Sequence, residues 1–190
     1  MTPQRAPVRL DRIETGDQSV VETPRLTLRP LRRSDQGPIE MYAGDKRVAS
    51  MTSAIPHPYP PGAADRFVTR ALAAEGEVVW AMDASKSDLG EFVGLIGLRP
   101  MDRDQAEIGY WVAPFVWNTG LASEAVQAIL DANPLSCAQI FGTVFQDNAA
   151  SARVLTNAGF DYIGDAEAFS VARGAVVPQW TYIRHMAARP

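Results

Sequence analysis

A single α/β domain, one mixed β-sheet with helices on both faces, is the fold class this sequence predicts, and three observations predict it. Strand-like and helix-like runs follow one another in the order strand, helices, three strands joined by turns, helix, strand, helix, two strands. The chain has 190 residues, 46% hydrophobic and 21% charged, which suits one globular domain with a sizeable core. An apolar strand at Ala106–Val112 runs into a short loop and then a helical pattern from Leu121 to Leu130, a strand–loop–helix unit rather than a hairpin.

The elements follow in order. Residues 1–22 form an arm, or an extra edge strand where Val8 to Ile13 alternates, and the domain runs from 23 to 190. Leu26 and Leu28 face one way and Arg25, Thr27 and Arg29 the other, giving a first strand. Ser34-Asp35 reads as a helix cap leading to Ile39 and Tyr42. The proline-rich run Ile55 to Gly62 can be neither helix nor central strand and is a loop. Ala63 to Ala74 has helical spacing through Phe67, Val68, Ala71 and Leu72. Val78–Met82, Phe92–Leu98 and Ala106–Val112 form a meander, with turns near Asp83–Asp88 and at Met101–Asp104. Ile140–Phe145 is a further strand, and Asn148–Asn157 a helix closed by Gly159. Phe160–Ile163 and Val176–Met186 finish the sheet.

Composition narrows the function. A net charge of −4, from 18 basic and 22 acidic residues, gives no basic footprint for nucleic acid. The lone cysteine, Cys137, excludes an internal disulfide, and at the start of an apolar run it reads as a buried strand thiol. Met1 to Gln18 has no apolar core of signal-peptide length, and no stretch is long enough to span a bilayer. A cytoplasmic protein, monomeric or homodimeric, is the expectation.

The chemistry gathers around the strand–loop–helix unit. A helix N-terminus offers free N–H groups and the positive end of a dipole, so the loop before Leu121 suits a pyrophosphate. Gly120 leaves room for a phosphate against the backbone. No Gly-Lys-Ser/Thr follows and no glycine triplet is present, which disfavours a nucleoside-triphosphate loop and a dinucleotide fingerprint. The loop carries no positive side chain, so binding would rest on backbone amides. Glu107 shares a strand face with Gly109 and Trp111 and is either a base at a cleft or a surface salt-bridge partner. Asn148 and Ser151 share one helix face, and Asn148 is also a preferred N-cap.

Three motifs in this order resemble the GCN5-related N-acetyltransferase (GNAT) superfamily, and within it the branch that acetylates ribosomal proteins (RimJ/RimL type). They are Thr23-Pro24-Arg25-Leu26-Thr27-Leu28-Arg29-Pro30-Leu31, the Ala106–Val112 strand running into Trp117-Asn118-Thr119-Gly120-Leu121-Ala122, and Asn148-Ala149-Ala150-Ser151-Ala152-Arg153-Val154-Leu155 followed by Ala158-Gly159-Phe160. Asn118 holds a place often filled by glycine in that branch, and Asn tolerates positive φ better than most residues.

The resemblance implies an acetyl-CoA-dependent N-acetyltransferase without a metal. Trp117, Asn118, Thr119, Gly120, Leu121, Ala122 and Ser123 would hold the pyrophosphate. Backbone N–H groups near Trp111 and Val112 would polarise the thioester carbonyl. Asn148 would hold the cofactor's amides, and Ser151 would protonate the departing thiolate. Glu107 would act as base on the amine, directly or through water. Arg153 would meet the 3′-phosphate, unless it is a solvated helix arginine. The acceptor is a protein N-terminus or a small-molecule amine. The alternative is a catalytically silent acyl-CoA-binding module, which needs neither Glu107 nor Ser151.

Overall fold

The computed structural model describes residues 18–73 and 76–187. It contains an eight-stranded sheet of β1 (Val21–Glu22), β2 (Thr27–Pro30), β3 (Val78–Asp83), β4 (Gly94–Met101), β5 (Gln105–Val112), β6 (Gln139–Phe145), β7 (Asp161–Ser170) and β8 (Ala175–His185). The spatial order is β1-β2-β3-β4-β5-β6-β8-β7. Only the β5–β6 pair is parallel; every other neighbour is antiparallel. The connection across that pair is a helical crossover, as parallel neighbours require.

Period-2 alternation sorts the side chains onto two faces. Leu28, Trp80, Ile96, Leu98 and Ile108 point to one face and are buried beneath α4 (Leu121–Ala132) and α5 (Ala149–Asn157). Val79, Ala81 and Leu95 point to the other, where α1 (Gln36–Ala43) and α3 (Ala63–Leu72) contribute Ile39 and Val68. The β4–β5 ladder is long, pairing Gly94–Met101 with Gln105–Val112 in full register. The predicted α/β domain, with helices on both sides of a mixed sheet, is the observed one.

Several details depart from the sequence reading. The alternating segment Val8–Ile13 lies outside the described residues. The sheet instead opens with Val21–Glu22, whose approach is tied down by Gln18 Nε2 donating to Val79 O at 2.8 Å and Trp80 Nε1 donating to Ser19 O at 2.9 Å. A short helix, α2 (Lys46–Ala49), adds to the expected helices; Asp45 caps it by accepting Arg47 N–H at 2.8 Å. Asp35 does not cap α1 with its side chain. Its carboxylate turns back to accept Arg32 N–H at 2.7 Å and to bind Arg29 at 2.9 Å. Arg29, on the polar face of its strand in the sequence, is buried because Asp35 and Asp83 both pair with it.

The largest departure is at the C-terminal end. The sequence stops one strand at Ile163 and starts the next at Val176, yet β7 and β8 form one long hairpin with a register shift between Tyr162 and Gly164. β7 is an edge strand with most side chains exposed, so it carries no apolar alternation to read. Cys137 is buried as expected, but lies just before β6 rather than within it, and burial raises its thiol pKa.

Candidate active site

The parallel seam opens partway along. β5 and β6 pair from Gln105↔Gln139 to Ile108↔Gly142 and then separate, so Gly109–Val112 and Thr143–Phe145 no longer form a ladder with each other. Gly142 marks the last pair. A Cβ there would come 2.8 Å from Leu155 Cδ1, so α5 can press against the seam only because this residue is glycine. The opening holds a cavity of about 350 Å³ lined by Glu107, Gly109 and Trp111 from β5, Thr143 from β6, Ser151 from α5, and Asn148 just before α5.

One end of this region leads to the loop before α4. A 3₁₀ turn, Pro114–Val116, ends the strand, and the chain passes through Asn118 at φ +61° and Gly120 at φ +84° before the helix begins. Asn118 therefore adopts the left-handed conformation expected of it. The first amide of this helix to find a backbone acceptor is Glu124 N–H, on Gly120 O at 3.0 Å. Those of Asn118, Thr119, Gly120, Leu121, Ala122 and Ser123 have no acceptor among the described residues. Leu121 is itself a core side chain, so only its backbone is available to a ligand. Thr119 Oγ1 is turned inward, donating to Val116 O at 2.6 Å, and Trp117 Nε1 donates to Val112 O at 2.9 Å.

The expectation that the loop has no cation needs correction. Arg25, 94 residues upstream, reaches over it: Nη1 donates to Thr119 O at 2.8 Å, and Nη2 lies 3.3 Å from where a Cβ on Gly120 would stand. Glu124 fixes this arginine. Its carboxylate accepts Arg25 Nε at 2.7 Å, Arg25 N–H at 2.8 Å and Thr23 Oγ1 at 2.6 Å. Burial pushes the Glu124 carboxyl up, but the bonds from Thr23 and Arg25 outweigh it and hold the group below the ordinary carboxylate range. Arg47 adds a second guanidinium, 5.5 Å from the Trp117 ring centre.

At the other end, Glu107 faces the cavity as its strand position predicts, and it is also a salt-bridge partner. Arg99, directly across the β4–β5 ladder, holds one of its oxygens, and Thr143 Oγ1 donates to the other at 3.1 Å. Asn148 is the N-cap of α5, with Oδ1 accepting Ser151 N–H at 3.2 Å. Both of its readings remain compatible, because the cap uses only the oxygen. Ser151 lines the cavity, and its backbone carbonyl accepts Tyr110 Oη at 3.1 Å. Burial raises the Tyr110 phenol far above its usual range, so it stays neutral. Trp111 lines the cavity and packs on Phe92, ring centres 6.0 Å apart. Arg153 is exposed, off the cavity lining, and makes no ion pair among the described residues.

The tip of the β7–β8 hairpin roofs the opening. Arg173 Nε donates to Ser50 O at 2.7 Å, Nη1 donates to Asp147 Oδ2 at 2.6 Å, and the guanidinium lies 5.1 Å from the Phe145 ring centre. Val171 N–H donates to Ser53 O at 3.0 Å. These bonds hold the 51–55 segment against the cavity.

Four residues of this region escaped the sequence reading: Arg25, Glu77, Tyr110 and Arg173. Strand alternation was available for two of them. Tyr110 shares the face of Ile108, which α5 covers, and Glu77 precedes Val79 and Ala81 on the face of the cavity. Nothing local marks Arg25 or Arg173, whose partners are far away in sequence.

The sheet thus parts between parallel neighbours, with an amide-rich loop at one end and a carboxylate-lined cavity at the other. A family profile described as "Acetyltransferase (GNAT) domain" matches residues 25–161. The chain belongs to the GNAT acetyltransferases. It is similar to YoaA of Bacillus subtilis, an uncharacterised N-acetyltransferase, with 28% identity over 76% of this chain and 84% of YoaA. In fold it is similar to ribosomal-protein-S5-alanine acetyltransferase from Vibrio fischeri, at TM-score 0.74 and 18% identity over 91% of this chain and 100% of that one. It is also similar to spermidine N-acetyltransferase from Vibrio cholerae, solved with CoA and spermine, at TM-score 0.69 and 20% identity over 85% and 96% of the two chains.

Proposed function

We propose that the protein moves the acetyl group of acetyl-CoA to a primary amine, by direct attack of the amine on the thioester. The observation that carries this reading is the opened β5–β6 seam: its cavity holds Glu107 and Ser151, and the strand that forms one wall of it, β5, runs on into the loop with the free amides of Asn118–Ser123. Those amides, the glycine without a Cβ and the Arg25 guanidinium fit a pyrophosphate. Acetyl-CoA, when bound, supplies an activated acetyl thioester.

The chain's own groups do the rest. Backbone N–H groups near Trp111 and Val112, where β5 is no longer paired with β6, would polarise the thioester carbonyl. Ser151 presents a hydroxyl to the departing sulfur, and Asn148 keeps its amide NH₂ for the cosubstrate's own amides. The carboxylates of the cavity draw in a cationic amine, and one of them accepts its proton before attack. Arg153, exposed on α5, would meet the cosubstrate's 3′-phosphate. A protein N-terminus and a small-molecule amine both supply such an amine; the two structural neighbours' names give an alanine of ribosomal protein S5 and spermidine for those proteins.

The test combines calorimetry of CoA binding with thiol release from acetyl-CoA over a panel of amines and N-terminal peptides. Micromolar CoA binding with amine-dependent release is expected. Binding without release from any acceptor would identify an acyl-CoA-binding module instead, and no binding would remove the loop assignment.

A further inference from the structure

We propose that Glu77 is the carboxylate that takes the proton from the acceptor amine, and that Glu107 positions the groups around it. This rests on the acetyl transfer reading above. Glu77 stands in the wall between the reaction cavity and a second cavity of about 220 Å³, which also share Phe67, Val79 and Arg99. An amine entering through the second cavity reaches the thioester end of the seam past this carboxylate. The sheet makes room for it with glycine. A Cβ on Gly97 would overlap Glu77 Oε1 and come 3.1 Å from its Cδ, so the carboxyl group lies directly on the β4 backbone. Gly109, opposite Gly97 in the ladder, keeps the adjoining floor open.

The two carboxylates differ in what they can accept. Glu107 already has Arg99 on one oxygen and Thr143 on the other. Glu77 makes no hydrogen bond or ion pair among the described residues, so its lone pairs are free. The charged groups facing it are Arg99 of β4, Glu107 of β5 and Arg70 of α3. Burial pushes its carboxyl up, the two arginines oppose this and Glu107 adds to it, and the balance lies above the ordinary glutamate range, in the direction that makes a carboxylate a better base. In the step, an N–H bond of the acceptor ammonium breaks and its proton goes to a Glu77 oxygen. The freed nitrogen lone pair attacks the thioester carbon and forms the C–N bond, and the Glu77 proton passes to solvent. As the C–S bond breaks, the second proton that nitrogen loses goes by way of solvent and the Ser151 hydroxyl to the departing sulfur, leaving the amide and the free thiol.

The test compares Glu77→Gln and Glu107→Gln with the parent, following thiol release against pH with two acceptors, spermine and a peptide with an N-terminal alanine. An ammonium that has lost its proton to solvent no longer needs the base. The Glu77→Gln deficit should therefore be about 10²–10⁴-fold at low pH and shrink as pH passes the acceptor's own pKa, about 8 for the peptide and about 10 for spermine. Glu107→Gln should lose activity by a factor that does not change with pH, and Glu77→Asp should recover part of the rate. A Glu77→Gln deficit that is constant with pH, or absent, would overturn the assignment, as would a pH-dependent deficit in Glu107→Gln alone. If the parent releases no thiol with either acceptor, the acetyl transfer reading fails and this assignment fails with it. A parent that turns over while Glu77→Gln matches it defeats this inference only.

Discussion

At the loop end of the β5–β6 seam the groups offered to a ligand are main-chain amides; at the cavity end they are side chains gathered from β4, β5, β6, α5 and the approach to β3. The loop end is made by residues consecutive in the chain, 118–123, and its shape follows from two positive-φ positions and a helix start. The cavity end exists only where the sheet brings distant residues together, and its charges answer one another: Glu107 to Arg99, Arg173 to Asp147. An anion of fixed shape can be held by backbone alone, because every residue carries an N–H. Proton transfer and acceptor choice need side chains of tuned charge, which the backbone cannot supply.

This contrast can be broken by experiment. The largest effect is expected from Gly120→Glu. It forces a side chain into φ +84°, puts a Cβ against Arg25 and adds a carboxylate at the anion site. CoA affinity by calorimetry should fall by about 10²-fold or more, with left-handed strain of about 1–2 kcal/mol contributing. Unchanged affinity would mean that the loop end is not a cosubstrate site.

Ser151→Ala comes next and tests whether the α5 face belongs to binding or to chemistry. Removing one hydrogen bond to a developing charge should lower the rate by about 10–10²-fold and leave CoA affinity nearly intact. Weaker CoA binding at an unchanged rate would move Ser151 to the binding end.

Arg173→Ala should act on the roof alone. The guanidinium holds Ser50 and Asp147 together, and its bond to Asp147 keeps that carboxyl below the usual range. Both side chains are partly solvated, so a loss of about 1 kcal/mol is expected, read as an acceptor KM several-fold higher with CoA affinity preserved. Equal losses in both constants would show that the two ends are coupled through α5.

The smallest effect is on stability. Glu124→Gln weakens the brace that Thr23 and Arg25 form over the loop, and a Tm lower by about 2–6 °C at pH 7 is expected. Because the folded carboxyl titrates below its unfolded value of about 4.3, its contribution is complete above that pH and fades as pH falls through the folded value. The parent and the variant should therefore converge in acid. A gap that widens below pH 4 would contradict the brace.

Local chemistry made much of this legible in the sequence. Alternation placed Glu107 with Gly109 and Trp111 on one face and Ile108 on the other, and both assignments hold because a strand's side-chain period is fixed by its backbone. Gly120 before an apolar helical pattern marked a helix start, and Asn118 in a glycine's place was expected to take the positive φ it has. The β7–β8 hairpin was read short because an exposed edge strand does not need apolar residues to exist; its pairing partner defines it. The same limit hid Arg25 over the loop and Arg173 over the opening, whose partners are far away in sequence.

By itself, then, the sequence determined the order of the main elements from β2 to β8, the face of the β5 residues and the backbone conformation that opens the loop, since these depend on neighbours within a few residues. Which strands lie side by side decided the rest. Only the parallel β5–β6 pairing, and its end at Ile108↔Gly142, creates the opening, and only packing across β3, β4 and α3 brings Glu77, Arg99 and Arg70 to one another, because electrostatics acts through distance in space rather than position along the chain.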